Sequence, residues 1–197
     1  MPQELPELLV PDAAAWSQWL AGNHTSSSGV WLRLAKKGTT KPTRLAYEEA
    51  LDEALCHGWI DGQLRRHDEG TYRQRFTPRR RRSTWSQRNV ARVERLTVEA
   101  RMLPAGLAAF EQAMADGRIA RAYPGQAAID VPEDLAAALR ANPAAVAMFE
   151  TLSSQNRYSV LLRIHNASRP ETRARRIERS VELLSRGETP HPQSRRA

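Results

Sequence analysis

The sequence predicts an α+β protein: a small antiparallel sheet with flanking helices, followed by a C-terminal helical subdomain. Three observations point there. All five tryptophans (Trp16, Trp19, Trp31, Trp59, Trp85) lie in the first 85 of 197 residues. The same part holds the stretches that alternate apolar and polar residues at period two, as half-buried strands do. The second half is rich in Ala, Leu and Arg, with Pro and Ser/Asn breaks at helix-like intervals. Together they divide the chain into an α+β part over 1–122, a helical part over 123–190 and a tail over 191–197. The joint is placed at Tyr123-Pro124-Gly125-Gln126, where turn chemistry replaces periodicity. The ends, chiefly 188–197, read as disordered.

Each element has a local reason. Asp12 is an N-cap for a short helix carrying Trp16, Trp19 and Leu20 on one side. Gly29 to Ala35 alternates, with Val30, Leu32 and Leu34 on one face, and predicts a strand. Tyr47, Ala50, Leu51, Ala54 and Leu55 recur at helical spacing up to a stop at Gly58. Trp59 to His67, a turn at Asp68-Glu69-Gly70, and Thr71 to Thr77 predict a hairpin. Tyr72, Gln74 and Phe76 share one face of its second strand, Arg73 and Arg75 the other. Ser83 or Ser86 can cap the next helix. Its inner face is assigned to Val90, Val93, Thr97 and Ala100, and Arg88, Arg92 and Arg95 stack along another. Pro104 opens a further helix, with Leu107, Phe110 and Met114 inward and Gly117 as terminator.

The second half predicts three or four helices. Pro132 and Pro143 sit at first-turn positions, Asn142 is an N-cap, and Ser168-Arg169-Pro170-Glu171 has the spacing of a capping box. The last helix buries Ile177, Val181 and Leu184, carries the pairs Glu171–Arg175 and Glu182–Arg186, and stops at Gly187.

Composition narrows the function classes. Hydrophobic content of 41% and charged content of 26% are those of a globular chain. No run approaches the length of a membrane span, and the start lacks a basic-then-apolar leader, so a cytoplasmic location is expected. The single cysteine, Cys56, excludes an internal disulfide and a Cys-based zinc cluster. The five histidines lack metal-ligand spacing, and no GxGxxG or Walker A sequence is present, so no metal or cofactor is called for.

Charge is the most specific signal. The net charge is +8, and residues 65–101 alone supply it, with 12 arginines against 4 acids. At its centre stand Arg79, Arg80, Arg81 and Arg82, followed by Ser83, Trp85 and Ser86. Adjacent arginines just ahead of a helix N-terminus, itself worth roughly half a positive charge, are unfavourable unless an anion is near. The planar guanidinium fork matches phosphate or carboxylate, and Trp85 offers a ring for a base or an arginine. A plain solvated loop, neutralised by acids from the helical half, is the alternative.

Cys56-His57-Gly58-Trp59-Ile60-Asp61-Gly62 gathers a thiol, an imidazole and a carboxylate. Neighbours on a helix point about 100° apart, so Cys56 and His57 do not face one another as a nucleophile and base. Burial of Cys56 and a helix-end position for His57 explain both. Asp61 reads as a turn anchor or a partner for a hairpin arginine.

These segments resemble the YdeI/OmpD-associated family. The resemblance rests on Glu49-Ala50-Leu51-Asp52-Glu53-Ala54-Leu55-Cys56, Gly58-Trp59-Ile60-Asp61-Gly62, Phe76-Thr77-Pro78-Arg79-Arg80, Ser83, Trp85-Ser86 and Asn89. Arg169-Pro170-Glu171-Thr172-Arg173 with Arg176-Ile177 looks like that family's closing helix. The family commonly has an aromatic at the position of His57 and a tryptophan at that of Ile119. The resemblance implies a connection with bacteriocin protection, envelope stress and resistance to cationic antimicrobial peptides, and it supplies no catalytic residues. A strongly basic protein repels cationic peptides, so such a role would be indirect.

The expectation is therefore a cytoplasmic bacterial protein that binds an anionic, phosphate-bearing ligand, with nucleic acid among the candidates. Arg79 to Arg82 supply charge, Arg73, Arg75 and Arg88 position the ligand, Trp85 stacks, and Ser86 and Asn89 complete the surface. Two other readings stay open. One is a small enzyme using Asp61 or His57 as acid/base, which needs one pocket joining Gly58-Trp59-Ile60-Asp61-Gly62 to the arginines. The other is an adaptor for an acidic protein.

Overall fold

A computed structural model describes residues 4–193. They form two compact units, residues 4–85 with 89–121 and residues 86–88 with 122–193. The first unit holds strands β1 (Glu7–Leu8), β2 (Val30–Ala35), β3 (Trp59–Arg66) and β4 (Thr71–Pro78). It also holds helices α1 (Ala13–Asn23), α2 (Tyr47–Cys56) and α4 (Pro104–Ala115), and all but the start of α3 (Gln87–Val98). The sheet order is β1-β2-β4-β3. The class is α+β. The sheet is mixed, because β1 adds to β2 in parallel, while β2–β4 and β3–β4 are antiparallel. A two-residue strand is too short to show periodicity, which is why the sequence predicts only the antiparallel part.

The hairpin follows its pattern. Phe76, Gln74 and Tyr72 lie opposite Val30, Leu32 and Leu34, so these positions share the inner face. Phe76 meets Trp16 of α1 with ring centroids 5.7 Å apart, and Trp16 packs edge-on to Trp59 at 6.2 Å. Both indoles are buried with their N–H groups used: Trp16 donates to the Ala50 carbonyl at 3.0 Å, Trp59 to that of His24 at 3.1 Å. Asp12 caps α1 as expected, accepting from the Ala15 N–H at 3.1 Å.

Two helix faces differ from expectation. On α3 the buried residues are Asn89, Val93 and Leu96, while Thr97 and Ala100 are exposed. The helix is turned by about one position, which carries Arg92 and Arg95 over the acids of α2. On α4 Met114 is exposed and the buried residues are Gly106 and Ala113. The small face is the inward one because α4 runs against the end of α2. A Cβ on Gly106 would stand 2.4 Å from the Cys56 carbonyl oxygen.

The second unit holds α5 (Glu133–Arg140), α6 (Pro143–Glu150), α7 (Ser154–His165) and α8 (Pro170–Ser185). Leu135, Leu139, Phe149, Leu161, Ile164, Ile177 and Leu184 form its core. Asn142 caps α6, and Pro143 is at its first turn. The capping box at Ser168 does not form: Pro170 fixes the start of α8, so the N-cap is Arg169 and Ser168 falls outside. Ser180 is buried and Val181 half-buried on α8, a small rotation of the expected face.

The tail reading is also corrected, up to Gln193. Asn156, 1% exposed, donates to the His191 carbonyl at 3.0 Å and to Gln193 Oε1 at 2.8 Å, and accepts from the His191 N–H at 2.8 Å. A buried carboxamide needs these partners, and they pin the segment. Residues 194–197 of the expected tail lie outside the described residues. No helix among the described residues is long and apolar enough to cross a membrane.

Candidate anion-binding site

The twelve arginines of residues 65–101 separate into groups with different chemistry. Arg92, Arg95 and Arg101 turn inward to acids of α2. Arg92 and Arg95 each meet Asp52 at 2.6 Å, Arg101 reaches Glu53 at 2.6 Å and Asp52 at 3.6 Å, and Arg92 also bonds Glu48. Ala100, at φ 55°, helps place Arg101: the Arg101 N–H returns to the Leu96 carbonyl, closing α3 in a left-handed turn. Burial raises the Asp52 carboxyl, but hydrogen bonds from Arg92 and Arg95 outweigh it and hold the group below its ordinary range. This stripe is structural.

Arg79 turns inward as well. Its guanidinium carbon lies 3.5 Å from the centre of the Trp85 ring, and its Nη1 donates to the Thr84 carbonyl at 3.3 Å. Trp85 is 2% exposed, and Phe110 packs edge-on to it at 5.4 Å. This corrects the stacking role: Trp85 receives Arg79, not a base. A buried ring with one face already covered has no surface for a second planar group.

Arg80, Arg81 and Arg82 do the opposite. Between them and Trp85 the chain makes a tight turn, with the Ser83 N–H donating to the Arg80 carbonyl at 2.8 Å and Ser83 Oγ accepting from the Arg80 N–H at 3.0 Å. Arg118, paired with Asp116, donates to the Ser83 carbonyl at 3.0 Å and steadies the turn. All three arginines at its tip are exposed, and none has an ion pair among the described residues. Arg88 is exposed on α3 and Asn89 is 9% exposed; Ser86 and Arg88 group with the helical unit, not with the turn.

Arg73 and Arg75 point from the outer face of β4. Arg73 pairs with Glu7 at 3.1 Å. Asp61 lies opposite Phe76 and so on the inner face, where its Oδ2 accepts from the Tyr47 hydroxyl at 2.9 Å. It does not pair with a hairpin arginine. Gly58, at φ 74°, ends α2 against the Ala105 carbonyl, and Trp59 is core.

Cys56 and His57 are packing residues. Burial, with Glu53 nearby, pushes the Cys56 thiol up to about 11, so it carries no thiolate at neutral pH. His57 is 4% exposed, 5.4 Å from the His24 ring. Burial first, then His24, lowers its proton affinity below the ordinary value. A depressed folded-state value means that stability is full above about pH 6.5 and falls as acid protonates the unfolded chain first. The urea midpoint is expected to drop between pH 7 and 5.5, and His57→Phe to lessen that drop; equal drops would remove His57 as its source.

The helical unit has a groove of about 780 Å³, lined by Ala138, Ala141, Ile177 and Val181 and edged by the Asp134–Arg173 pair. It contains none of the arginines of residues 65–101. Periodicity does not reveal it, because its walls come from separate helices.

Comparison with known proteins fits this division. Residues 8–109 match the family described as Domain of unknown function (DUF8412). The chain belongs to the DUF8412 family. Residues 128–187 match a second family, described as Bacteriocin-protection, YdeI or OmpD-Associated. The YdeI/OmpD-associated resemblance is thus borne out, with its match in the helical part, where Arg169 to Ile177 lie. The segments from Glu49 to Asn89 that also carried the resemblance fall in the DUF8412 stretch, together with the arginine turn. No curated protein and no solved structure matches the chain.

Proposed function

We propose that this protein binds a phosphate-bearing anion through the Arg80–Arg82 turn. One observation supports the reading above others: three adjacent arginines are held exposed on a hydrogen-bonded turn without an acidic partner among the described residues, whereas Arg92, Arg95 and Arg101 all have one. A general surplus of charge has no reason to leave these three unpaired beside a pinned turn. The guanidinium forks match phosphate oxygens, and their mutual repulsion falls when an anion binds. A cytoplasmic location belongs to the same proposal. So does a part in envelope stress or antimicrobial-peptide resistance, reached indirectly through an anionic target.

The enzyme alternative, with Asp61 or His57 as acid/base, needs one pocket joining the segment from Gly58 to Gly62 to the arginines. Asp61 is on the inner face of the sheet and Arg73 and Arg75 on the outer, and His57 is buried, which favours binding over acid/base chemistry. The test is titration calorimetry with inorganic pyrophosphate at low salt, on the protein and on the Arg80→Gln/Arg81→Gln/Arg82→Gln variant. Binding is expected, with at least a tenfold loss in the variant. Equal binding by both would remove the turn as the site.

A further inference from the structure

The outer face of the sheet carries a second arginine surface. Pleating turns Phe76 and Gln74 toward the core and Arg73 and Arg75 away from it. Cross-strand partners share that outer face: Arg75 lies opposite Trp31, and Arg73 lies between Arg33 on β2 and Arg65 on β3. Arg33, Arg73 and Arg65 thus form a row across three strands, about 10 Å long at the usual strand spacing. Like charges directly opposite one another are destabilising.

The acids nearby compensate this row unevenly. Glu7 reaches Arg73 at 3.1 Å and Arg33 at 3.8 Å, and Asp68 meets Arg33 at 2.8 Å. Arg65 has Glu4 at 3.9 Å, on a side chain 87% exposed. Arg75 has no acidic partner among the described residues, and its Nε is buried without a hydrogen bond. A bulge explains its position. Between Asp61 and Leu64 the register shifts, so Gly62 and Gln63 face the single Arg75. The guanidinium lies on Gly62, where a Cβ would stand 2.9 Å from Nε. Arg65 lies over the Trp31 ring at 4.1 Å. Trp31 is 6% exposed, whereas the Arg65 side chain is half exposed. The ring supports one side of the guanidinium and leaves the other to solvent.

We infer that this face is a platform for single-stranded nucleic acid, with a base stacking on Arg65 and backbone phosphates meeting Arg75 and Arg73. An extended open row suits a chain of phosphates better than one small anion. Guanidinium planes stack unpaired bases, and such stacking tolerates any sequence. The surface is built from other residues than the Arg80–Arg82 turn and does not depend on it.

Fluorescence anisotropy with labelled 12-nucleotide single strands across a salt series tests the platform. The Arg65→Gln/Arg75→Gln variant is expected to bind at least tenfold more weakly at 0.1 M salt. Its log K against log salt slope should flatten by about 0.7, the single phosphate contact of Arg75. Arg65→Lys keeps the charge and loses the plane, so it should hold the slope while affinity falls about tenfold. The Arg80→Gln/Arg81→Gln/Arg82→Gln variant should retain both effects of Arg65. No oligonucleotide binding by the unaltered protein, or unchanged binding by the Arg65/Arg75 variant, overturns the inference. Pyrophosphate binding by the turn can survive either result.

Discussion

Replacing Asp52 by Ala is expected to destabilise the first unit by about 3–5 kcal/mol, the cost of removing one partner from a buried ion pair. Asp52 is 8% exposed and meets Arg92, Arg95 and Arg101. Without it, the Arg92 side chain, 10% exposed, keeps only Glu48 among its described ion-pair partners. Arg95 and Arg101 then stand near it without the carboxylate all three shared. Urea unfolding followed by tryptophan emission reads the loss, since all five tryptophans lie in residues 1–85. A change below about 1 kcal/mol would place the cluster with ordinary surface pairs. Acid should act in the same direction. The lowered folded value of Asp52 gives stability that is full above about pH 3.9 and lost as pH falls through that depressed value.

Gly106→Ala is the second large effect, and its sign decides between two physical terms. Alanine in a helix interior gains up to about 1 kcal/mol over glycine. Here the added methyl would meet backbone, the Cys56 oxygen at 2.4 Å and the Leu55 oxygen at 2.6 Å. Backbone atoms do not rotate aside, so α4 must move away from α2, and a net loss of about 2 kcal/mol is expected. Gly22→Ala is the control: it lies in α1 with nothing within 4 Å, and should be neutral or mildly stabilising. If both variants behave alike, close packing of α4 is not what Gly106 provides.

What the sequence revealed depended on the range of the interaction. The hairpin was legible because alternation and its turn lie within twenty residues, and the Asp12 and Asn142 caps because each acts on the next turn. The arginine turn was legible as charge. Its division was not. Arg92 and Arg95 look like part of one basic surface until Asp52, about forty residues earlier, is brought beside them. Arg79 and Trp85 flank the turn in sequence, but only the fold shows that the arginine takes the ring and that the ring is buried. Arg65 on Trp31 was missed for the same reason: β3 and β2 meet only through β4. The small inward face of α4 gave no signal, since periodicity follows large apolar residues.

The Asn156 contacts separate two boundaries that are easily treated as one. The YdeI/OmpD-associated match ends at residue 187, inside the stop that follows α8. The amide that bridges α7 to the chain beyond takes its partners from His191 and Gln193. A chain cut to the matched length would keep α5 to α8 and lose all three hydrogen bonds between the Asn156 amide and the segment beyond, at about 0.5–1.5 kcal/mol each. The family match is thus shorter than the hydrogen-bonded unit, and the segment up to Gln193 belongs to that unit by its contacts with Asn156.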